Sequence, residues 1–316
     1  MQDFWKKLNK PILAVAPMSG VTDQPFRKML VKYGQPSVFW TEFVSADGLF
    51  SKGKEHCLEI LKFDPDQRPI VAQVFGGDPV YFAKTAKLLM ELDFDGIDIN
   101  MGCPHKDIEK KGGGAALMKD IPLAKEIIRA IKKEAPDFPI SVKTRIGYSK
   151  NEINNWIPAL LEENISALTV HFRTREELFC PPAHWELAKE VIKLRDKYSP
   201  DTLLLGNGDV KSLAQSQDLI KKTGLDGIMV GRGAIGNPWI FCPKEPTTKE
   251  RLKAMLEHAQ IFVEFYPDEH KHFERMKKHF HAYCKGFVGA KELRDNLMRA
   301  KGFQESKKLI KEFKEI

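Results

Sequence analysis

The 316-residue chain lacks the marks of several common protein classes. Its five cysteines, at positions 57, 103, 180, 242 and 284, are odd in number and form no C-x-x-C, which argues against a disulfide scaffold and a zinc ribbon. His279, His281 and Cys284 are close in sequence, but residues 279 and 281 point to different sides of a helix, so no metal is expected. No apolar run approaches membrane-spanning length. The N-terminal MQDFWKKLNKPILAVAP sets bases before an apolar stretch that Pro17 soon breaks, which is too short for a secretory or membrane segment. A soluble cytoplasmic enzyme with no membrane contact and no obligate protein partner is therefore expected. Internal repeats and low-complexity tracts are lacking as well.

Charge is present in both signs, with 50 Lys and Arg against 43 Asp and Glu, a formal balance of +7. The excess is uneven: residues 244–316 hold 17 bases and 12 acids, while residues 1–243 hold 33 and 31. Five of the nine histidines, His258, His270, His272, His279 and His281, fall in the same last quarter. That asymmetry suits a polyanionic partner, with an ordinary solvated surface as the plainer alternative.

Eight short β-rich apolar runs occupy the first 233 residues: 12–18, 37–43, 70–75, 96–100, 140–144, 167–172, 202–206 and 227–230. Helix-length segments fill the gaps between them, such as 79–92, 122–134, 184–197 and 212–223. Near-continuous apolarity is what strands buried on both faces show, and eight βα units predict an α/β fold, a closed (β/α)8 TIM barrel. Asp78 before Pro79 and Asp120 before Ile121-Pro122 read as helix caps. Beyond Pro243 and Pro246 the period changes. Leu252, Met255, Leu256, Ala259, Phe262 and later Phe273, Met276, Phe280 and Tyr283 repeat at helical spacing, so a helical bundle follows the barrel. The predicted division is a catalytic barrel over 1–243 and a basic helical domain over 244–316.

A barrel of this kind carries its chemistry at the C-terminal ends of its strands. The polar residues placed there are Met18, Glu42, Gln73, Asn100 with Cys103, Lys143 with Arg145, His171 with Arg173, Asn207-Gly208-Asp209 and Gly231-Arg232-Gly233. The last two groups follow strands seven and eight, the usual phosphate corner. Their glycines let backbone N–H groups approach an anion, and Arg232 adds charge. Neither has the spacing of a P-loop or dinucleotide fingerprint, so a mononucleotide phosphate is expected. Gln73, Lys143 and His171 offer a redox ring a donor-acceptor amide, a positive charge and an imidazole. Buried together without a ligand, they would cost free energy. Cys103 sits in a glycine-rich polar loop that leads to Lys110 and Lys111. This setting suggests an exposed, mobile thiol, either nucleophile or proton donor.

The order of these pieces resembles the tRNA-dihydrouridine synthase family. The matching runs are A-P-M-S-G-V-T-D-Q-P-F-R (16–27), Q-V-F-G-G (73–77), D-I-N-M-G-C-P (98–104) and K-K-G-G-G-A-A-L (110–117). V-K-T-R (142–145), H-F-R-T-R-E (171–176), G-N-G-D (206–209) and D-G-I-M-V-G-R-G-A-I-G-N-P (226–238) continue the series. R-M-K-K-H (275–279) and K-G-F-V-G-A-K-E-L-R (285–294) resemble the family's helical domain.

The resemblance implies an FMN enzyme that reduces uridine in tRNA to 5,6-dihydrouridine, with NADPH as reductant. Hydride would pass from reduced flavin to uracil C6, and Cys103 would protonate C5. It assigns Pro17, Met18, Gln73, Lys143, His171, Asn207, Gly208, Asp209, Gly231 and Arg232 to the cofactor. Asn100, Arg173 and Arg175 are assigned to substrate, the two arginines alternatively to bracing the loop. Glu177 stands where the family usually has glutamine, which changes loop detail more than chemistry. Lys271, Arg275, Lys277, Lys278, Lys285, Lys291 and Arg294, with Lys110 and Lys111 nearer the pocket, are the candidate RNA contacts. The residues by themselves reach a phosphate-bearing redox barrel; uridine and tRNA enter through the resemblance. A flavin barrel acting on free pyrimidines, a non-redox phosphate-binding barrel and an RNA-binding protein with an inactive barrel are the alternatives.

Overall fold

The computed structural model describes residues 3–268 and 272–313. The strands are β1 (Ile12–Val15), β2 (Phe39–Trp40), β3 (Val44–Ser45), β4 (Ile70–Phe75), β5 (Gly96–Met101), β6 (Ile140–Arg145), β7 (Ala167–His171), β8 (Leu203–Asn207) and β9 (Gly227–Val230). All pairings are parallel, in the order β1-β9-β8-β7-β6-β5-β4-β2, with β3 also on β4. The Ala14–Val38 bridge joins the two ends of that order, so the sheet closes into a barrel. The second expected strand, 37–43, is interrupted. Phe39 and Trp40 pair with Ile70 and Val71, whereas Val44 and Ser45 pair with Val74 and Phe75. One extra residue is thus inserted opposite β4, as in a bulge. Thr41 explains the break: its Oγ accepts the Gln73 backbone N–H at 3.2 Å and donates to the Glu42 carbonyl at 2.7 Å, replacing ladder bonds with side-chain ones.

Alternation along the strands decides what enters the barrel. The paired register sets Gln73 beside Asp98, Asn100 beside Lys143, Arg145 beside His171, and His171 beside Asn207. Toward the N-terminal ends the same faces carry Val71, Ala167, Leu205 and Met229. These residues pack with Trp5 and Trp40 in a separate apolar cluster that plugs the barrel floor. The interior is therefore apolar below and polar above.

The helices outside the strands are α1 (Gln24–Tyr33), α2 (Lys54–Ile60), α3 (Pro79–Glu91), α4 (Lys106–Lys110), α5 (Ile121–Glu134), α6 (Ile153–Leu161), α7 (Ala188–Tyr198) and α8 (Leu213–Thr223). Asp78 and Asp120 accept the Val80 and Leu123 N–H groups at 2.8 and 3.0 Å, the caps expected of them. The apolar stripe of α5, Ala124, Ile127, Ile128 and Ile131, is buried in the main core cluster, with α3 alongside.

The C-terminal helices are α9 (Thr248–Phe265), α10 (Glu274–Tyr283), α11 (Ala290–Arg299) and α12 (Phe303–Glu312). A capping box between Thr247 and Glu250 starts α9. The bundle is packed onto the barrel through α1: Phe26 meets His258 and His279 at ring distances of 5.6 and 4.8 Å, and Tyr33 donates to Glu257 at 2.7 Å. Among the described residues no helix is long and apolar enough to cross a membrane.

Candidate active site

A cleft of about 1130 Å³ opens at the C-terminal ends of the strands. It is lined by Pro17, Met18, Gln73, Asn100, Cys103, Lys143, His171, Asn207, Gly208, Asp209, Gly231 and Arg232, so twelve of the fourteen residues expected at the site meet in one place. Arg173 and Arg175 are not on its wall.

The floor is a hydrogen-bonded chain. Gln73 Nε2 donates to Asp98 Oδ2 at 2.6 Å, Ser141 Oγ donates to Asp98 Oδ1 at 2.6 Å, and Asn100 Nδ2 donates to Gln73 Oε1 at 2.8 Å. Asp98 fixes which way the Gln73 amide faces. Burial pushes the Asp98 carboxyl upward, against these two donors and the Lys143 charge. Sequence reasoning did not single out Asp98; its position two residues before Asn100, on the same strand face, was the available signal.

Lys143 carries its ammonium into the cleft with, among the described residues, a single long hydrogen bond, to Asn207 Oδ1 at 3.3 Å. Burial, helped by Arg145, lowers it to about 8, so the site retains a mostly protonated cation with donors to spare at neutral pH. His171 is driven well below the usual imidazole range by burial and by Arg145, Lys143, Arg173 and Arg232, and is neutral. Its Nε2 lies 3.3 Å from Arg173 Nη1, a permanent donor, which places the ring proton on Nδ1.

The glycine-rich corner after β8 and β9, where a phosphate is expected, is held from behind. Asp209 accepts from Arg173, from the Ala183 N–H at 3.0 Å and from Arg232 at 2.9 Å. Burial alone would raise its carboxyl; the Arg173 and Ala183 hydrogen bonds and the two guanidinium charges instead hold it low. Gly208 has φ +140°, and a Cβ there would stand 2.5 Å from that of Ala183, so this turn requires glycine. Arg173 is 2% exposed and also donates to the Pro181 carbonyl at 2.6 Å. Its guanidinium is engaged by Asp209 and lies beside His171.

Cys103 differs from the expected exposed, mobile thiol. Its N–H donates to Asn100 Oδ1 at 2.9 Å, and its carbonyl accepts the Ala115 N–H at 3.0 Å. Arg145 donates to the Gly102 carbonyl at 2.8 Å, and Arg175 donates to the Pro104 carbonyl at 3.2 Å. Gly114, at φ +59°, leaves room for this: a Cβ there would stand 2.7 Å from the Cys103 carbonyl oxygen. The thiol is half-buried, and burial raises it above its ordinary value against the pull of Lys143 and Arg145, so it remains protonated. A proton donor fits that state better than a nucleophile. Asn100, expected to meet the substrate, spends its amide oxygen on Gly102 and Cys103 and one donor on Gln73, leaving one N–H toward the cleft.

The outer wall comes from the C-terminal helices: Arg251, Ala282 and Lys285 line the cleft. Arg251 was absent from the sequence-based candidates. Lys278 Nζ reaches to 3.0 Å from the position a Cβ would take on Gly20, beside the Met18 turn. Lys277 is mostly covered and pairs with Glu274 at 2.6 Å. Arg294 lies 3.9 Å from Asp295, and Lys110 and Lys111 pair with Asp107 and Asp47. Lys271 and His270 lie outside the described residues.

Comparison with known proteins agrees with this geometry. The family model described as "Dihydrouridine synthase (Dus)" matches residues 14–316. A "Probable tRNA-dihydrouridine synthase" of Staphylococcus aureus (strain COL) is 38% identical over 99% of this chain and 96% of its own length. A "Probable tRNA-dihydrouridine synthase 2" of Bacillus subtilis (strain 168) is 39% identical over 99% and 97%. Among solved structures, a variant of NCR from Zymomonas mobilis has a TM-score of 0.50 at 16% identity, over 73% of this chain and 84% of that one. Histamine dehydrogenase from Rhizobium sp. 4-9 has a TM-score of 0.53 at 13% identity, over 80% of this chain and 49% of that one. These two likenesses extend to the fold alone. With the family model covering nearly all of the chain and relatives matched almost end to end, the protein belongs to the dihydrouridine synthase family.

Proposed function

We propose that this chain reduces particular uridines of tRNA to 5,6-dihydrouridine, with FMN as its flavin and NADPH as the reductant. The observation that carries the reading is a protonated thiol, Cys103, fixed on the wall of the cleft that also holds Gln73, Lys143, His171 and the glycine-rich corner at Gly208 and Gly231. The donor set suits FMN. Asn207, Gly208, Gly231 and Arg232 would take the phosphate and ribityl end, with Asp209 holding Arg232 in place. Gln73 would pair with the ring's polar edge, and the under-used ammonium of Lys143 would balance the negative charge of the reduced ring. When bound, reduced FMN would supply the hydride to uracil C6.

Everything else in the step falls to the chain. As C6 gains hydride, the C5=C6 double bond becomes single and C5 takes the Cys103 proton. Burial returns the resulting thiolate to the thiol by proton uptake from solvent. The cleft is larger than a typical small-ligand pocket, as flavin and an extruded base together require. Arg251 and Lys285 on the wall of the cleft, with Lys278 beside Gly20, would supply contacts for RNA phosphates. The reading places the enzyme in the cytoplasm, where tRNA and NADPH meet, and asks for no protein partner.

The test is Cys103→Ala with unmodified tRNA. The variant should bind FMN and accept electrons from NADPH at the wild-type rate, yet leave tRNA almost free of dihydrouridine. Undiminished product would remove Cys103 from the reaction, and a purified, folded protein unable to take up FMN would overturn the flavin reading.

A further inference from the structure

Two peptide carbonyls flank the Cys103 thiol along the chain, and each is held by a different arginine. Arg145 Nε donates to the Gly102 carbonyl at 2.8 Å, and Arg175 Nη2 donates to the Pro104 carbonyl at 3.2 Å. Arg175 is itself fixed by a two-point pair with Glu109 on α4, the helix into which the thiol loop runs. Arg145 is the last residue of β6 and Arg175 follows β7, so these ties across the barrel mouth add to the ones Cys103 makes nearby in the chain, to Asn100 and Ala115.

We propose that Arg175 and Glu109 form a positioning pair for Cys103: the guanidinium pins the Pro104 carbonyl, Glu109 holds the guanidinium, and together they set the distance from which the thiol delivers its proton. The inference rests on the proposed role of Cys103 as proton donor. The bidentate fork is suited to the task because a planar guanidinium can satisfy a carboxylate with two N–H groups and still aim at a carbonyl. The side chains of Arg175 and Glu109 are 18% and 12% exposed, so the pair is shielded from solvent and from long-range screening. Arg175 is not among the residues that line the cleft, and its guanidinium is engaged by Glu109 and the Pro104 carbonyl.

Proton transfer is steeply sensitive to placement, and a displacement of about 1 Å costs on the order of 100-fold. The experiment uses FMN-loaded enzyme, unmodified tRNA, and the variants Arg175→Met, Arg175→Lys, Glu109→Gln and Cys103→Ala. Three quantities are read: flavin reduction by NADPH, tRNA affinity, and single-turnover reoxidation of the reduced enzyme at saturating tRNA. Arg175→Met and Glu109→Gln should slow reoxidation roughly 10- to 100-fold, leaving flavin reduction and tRNA affinity within about twofold of wild type. The Met/Gln double variant should be no slower than the worse single one, because the two side chains act as a unit. Arg175→Lys, which keeps the charge but cannot span both partners, should fall between wild type and Arg175→Met.

Weakened tRNA binding with normal reoxidation at saturation would make Arg175 an RNA contact and overturn the proposal. Unchanged reoxidation in Glu109→Gln, a conservative change at the edge of the fold, would overturn it too, as would loss of FMN from both variants. Cys103→Ala separates the two levels. If that variant turns over normally, the donor assignment is wrong; if it is inactive while the Arg175 and Glu109 variants are not, only the positioning pair falls.

Discussion

Replacing Asp209 tests whether the phosphate corner is built as the structure indicates. Its carboxylate is the ionic partner of Arg173, whose side chain is 2% exposed, and it also holds Arg232 at 2.9 Å and the Ala183 N–H at 3.0 Å. Breaking a buried ion pair from one side costs about 3–5 kcal/mol, because the remaining charge is left uncompensated. Asp209 keeps 30% of its side chain exposed and Arg173 retains the Pro181 carbonyl, so a cost near the low end, about 3 kcal/mol, applies. Asp209 also has φ +55°, a conformation that costs alanine about 1 kcal/mol more than asparagine or aspartate. Asp209→Ala should therefore lose about 4 kcal/mol, roughly 6 °C in Tm for a chain of this size. Asp209→Asn, which accepts the left-handed backbone and keeps one acceptor, should lose about half of that. Urea unfolding followed by tryptophan fluorescence measures both, aided by Trp185, whose indole donates to the Gly208 carbonyl at 3.2 Å. An alanine variant within about 1 kcal/mol of wild type would show that the Arg173–Asp209–Arg232 group carries no structural weight and would refute the argument.

Three further outcomes follow from the charges and their burial. Lys143→Met should lower the potential of bound FMN by a few tens of millivolts at pH 7, equivalent to about 1–2 kcal/mol. The gap should narrow at alkaline pH, because burial already lowers the ammonium to about 8; an unchanged potential would dismiss it as the charge partner. His279, buried against Phe26, is lowered to about 3 by burial and is neutral in the fold, while an unfolded imidazole titrates near 6.5. Its contribution is thus complete above 6.5 and lost as pH falls, so the advantage of wild type over His279→Gln should shrink by about 1 kcal/mol per pH unit below 6.5. The comparison must be with the variant, because Asp23, raised to about 7 by burial and Glu42, drives stability the opposite way over the same range. Finally, Arg251→Ala, Lys278→Ala and Lys285→Ala combined should weaken tRNA binding and reduce its dependence on log salt by about 2–3; an equal salt slope would remove these cations from the RNA footprint.

The barrel was legible because both periods that define it are written into the chain. Runs 70–75 and 227–230 coincide with β4 and β9, and Asp78 and Asp120 cap α3 and α5 as their sequences suggest. The break between β2 and β3 was not legible. Residues 37–43 read as one apolar run, and only the Thr41 hydroxyl, by taking a backbone donor of the next strand, diverts the ladder. The site was recoverable as a set of strand ends because a parallel barrel gathers them whatever the loops do. What each residue does there was less accessible. Arg173 and Arg175 follow a strand end and look like substrate contacts in sequence, yet both turn to carboxylates contributed from more than 30 residues away, Asp209 and Glu109.

The same contrast explains why the Cys103 loop reads as mobile and folds as fixed. Glycines at 102, 112, 113 and 114 suggest freedom, since each lacks a side chain to hold it. In the fold that lack of bulk admits neighbours: Gly102 lies against the Thr144 backbone, Gly113 against Gly76, and Gly114 against Cys103 itself. Close approach of backbone to backbone then allows Asn100, Arg145 and Arg175 to reach the loop's amides and carbonyls. Glycine thus supplies order here, through partners that lie on three other strands or loops and so leave no local signature. For the proton donor proposed for Cys103, which has to reach one carbon of one base, a loop held in this way is what the step needs. The residues that hold it are set by distances across the barrel mouth as much as by their place in the chain.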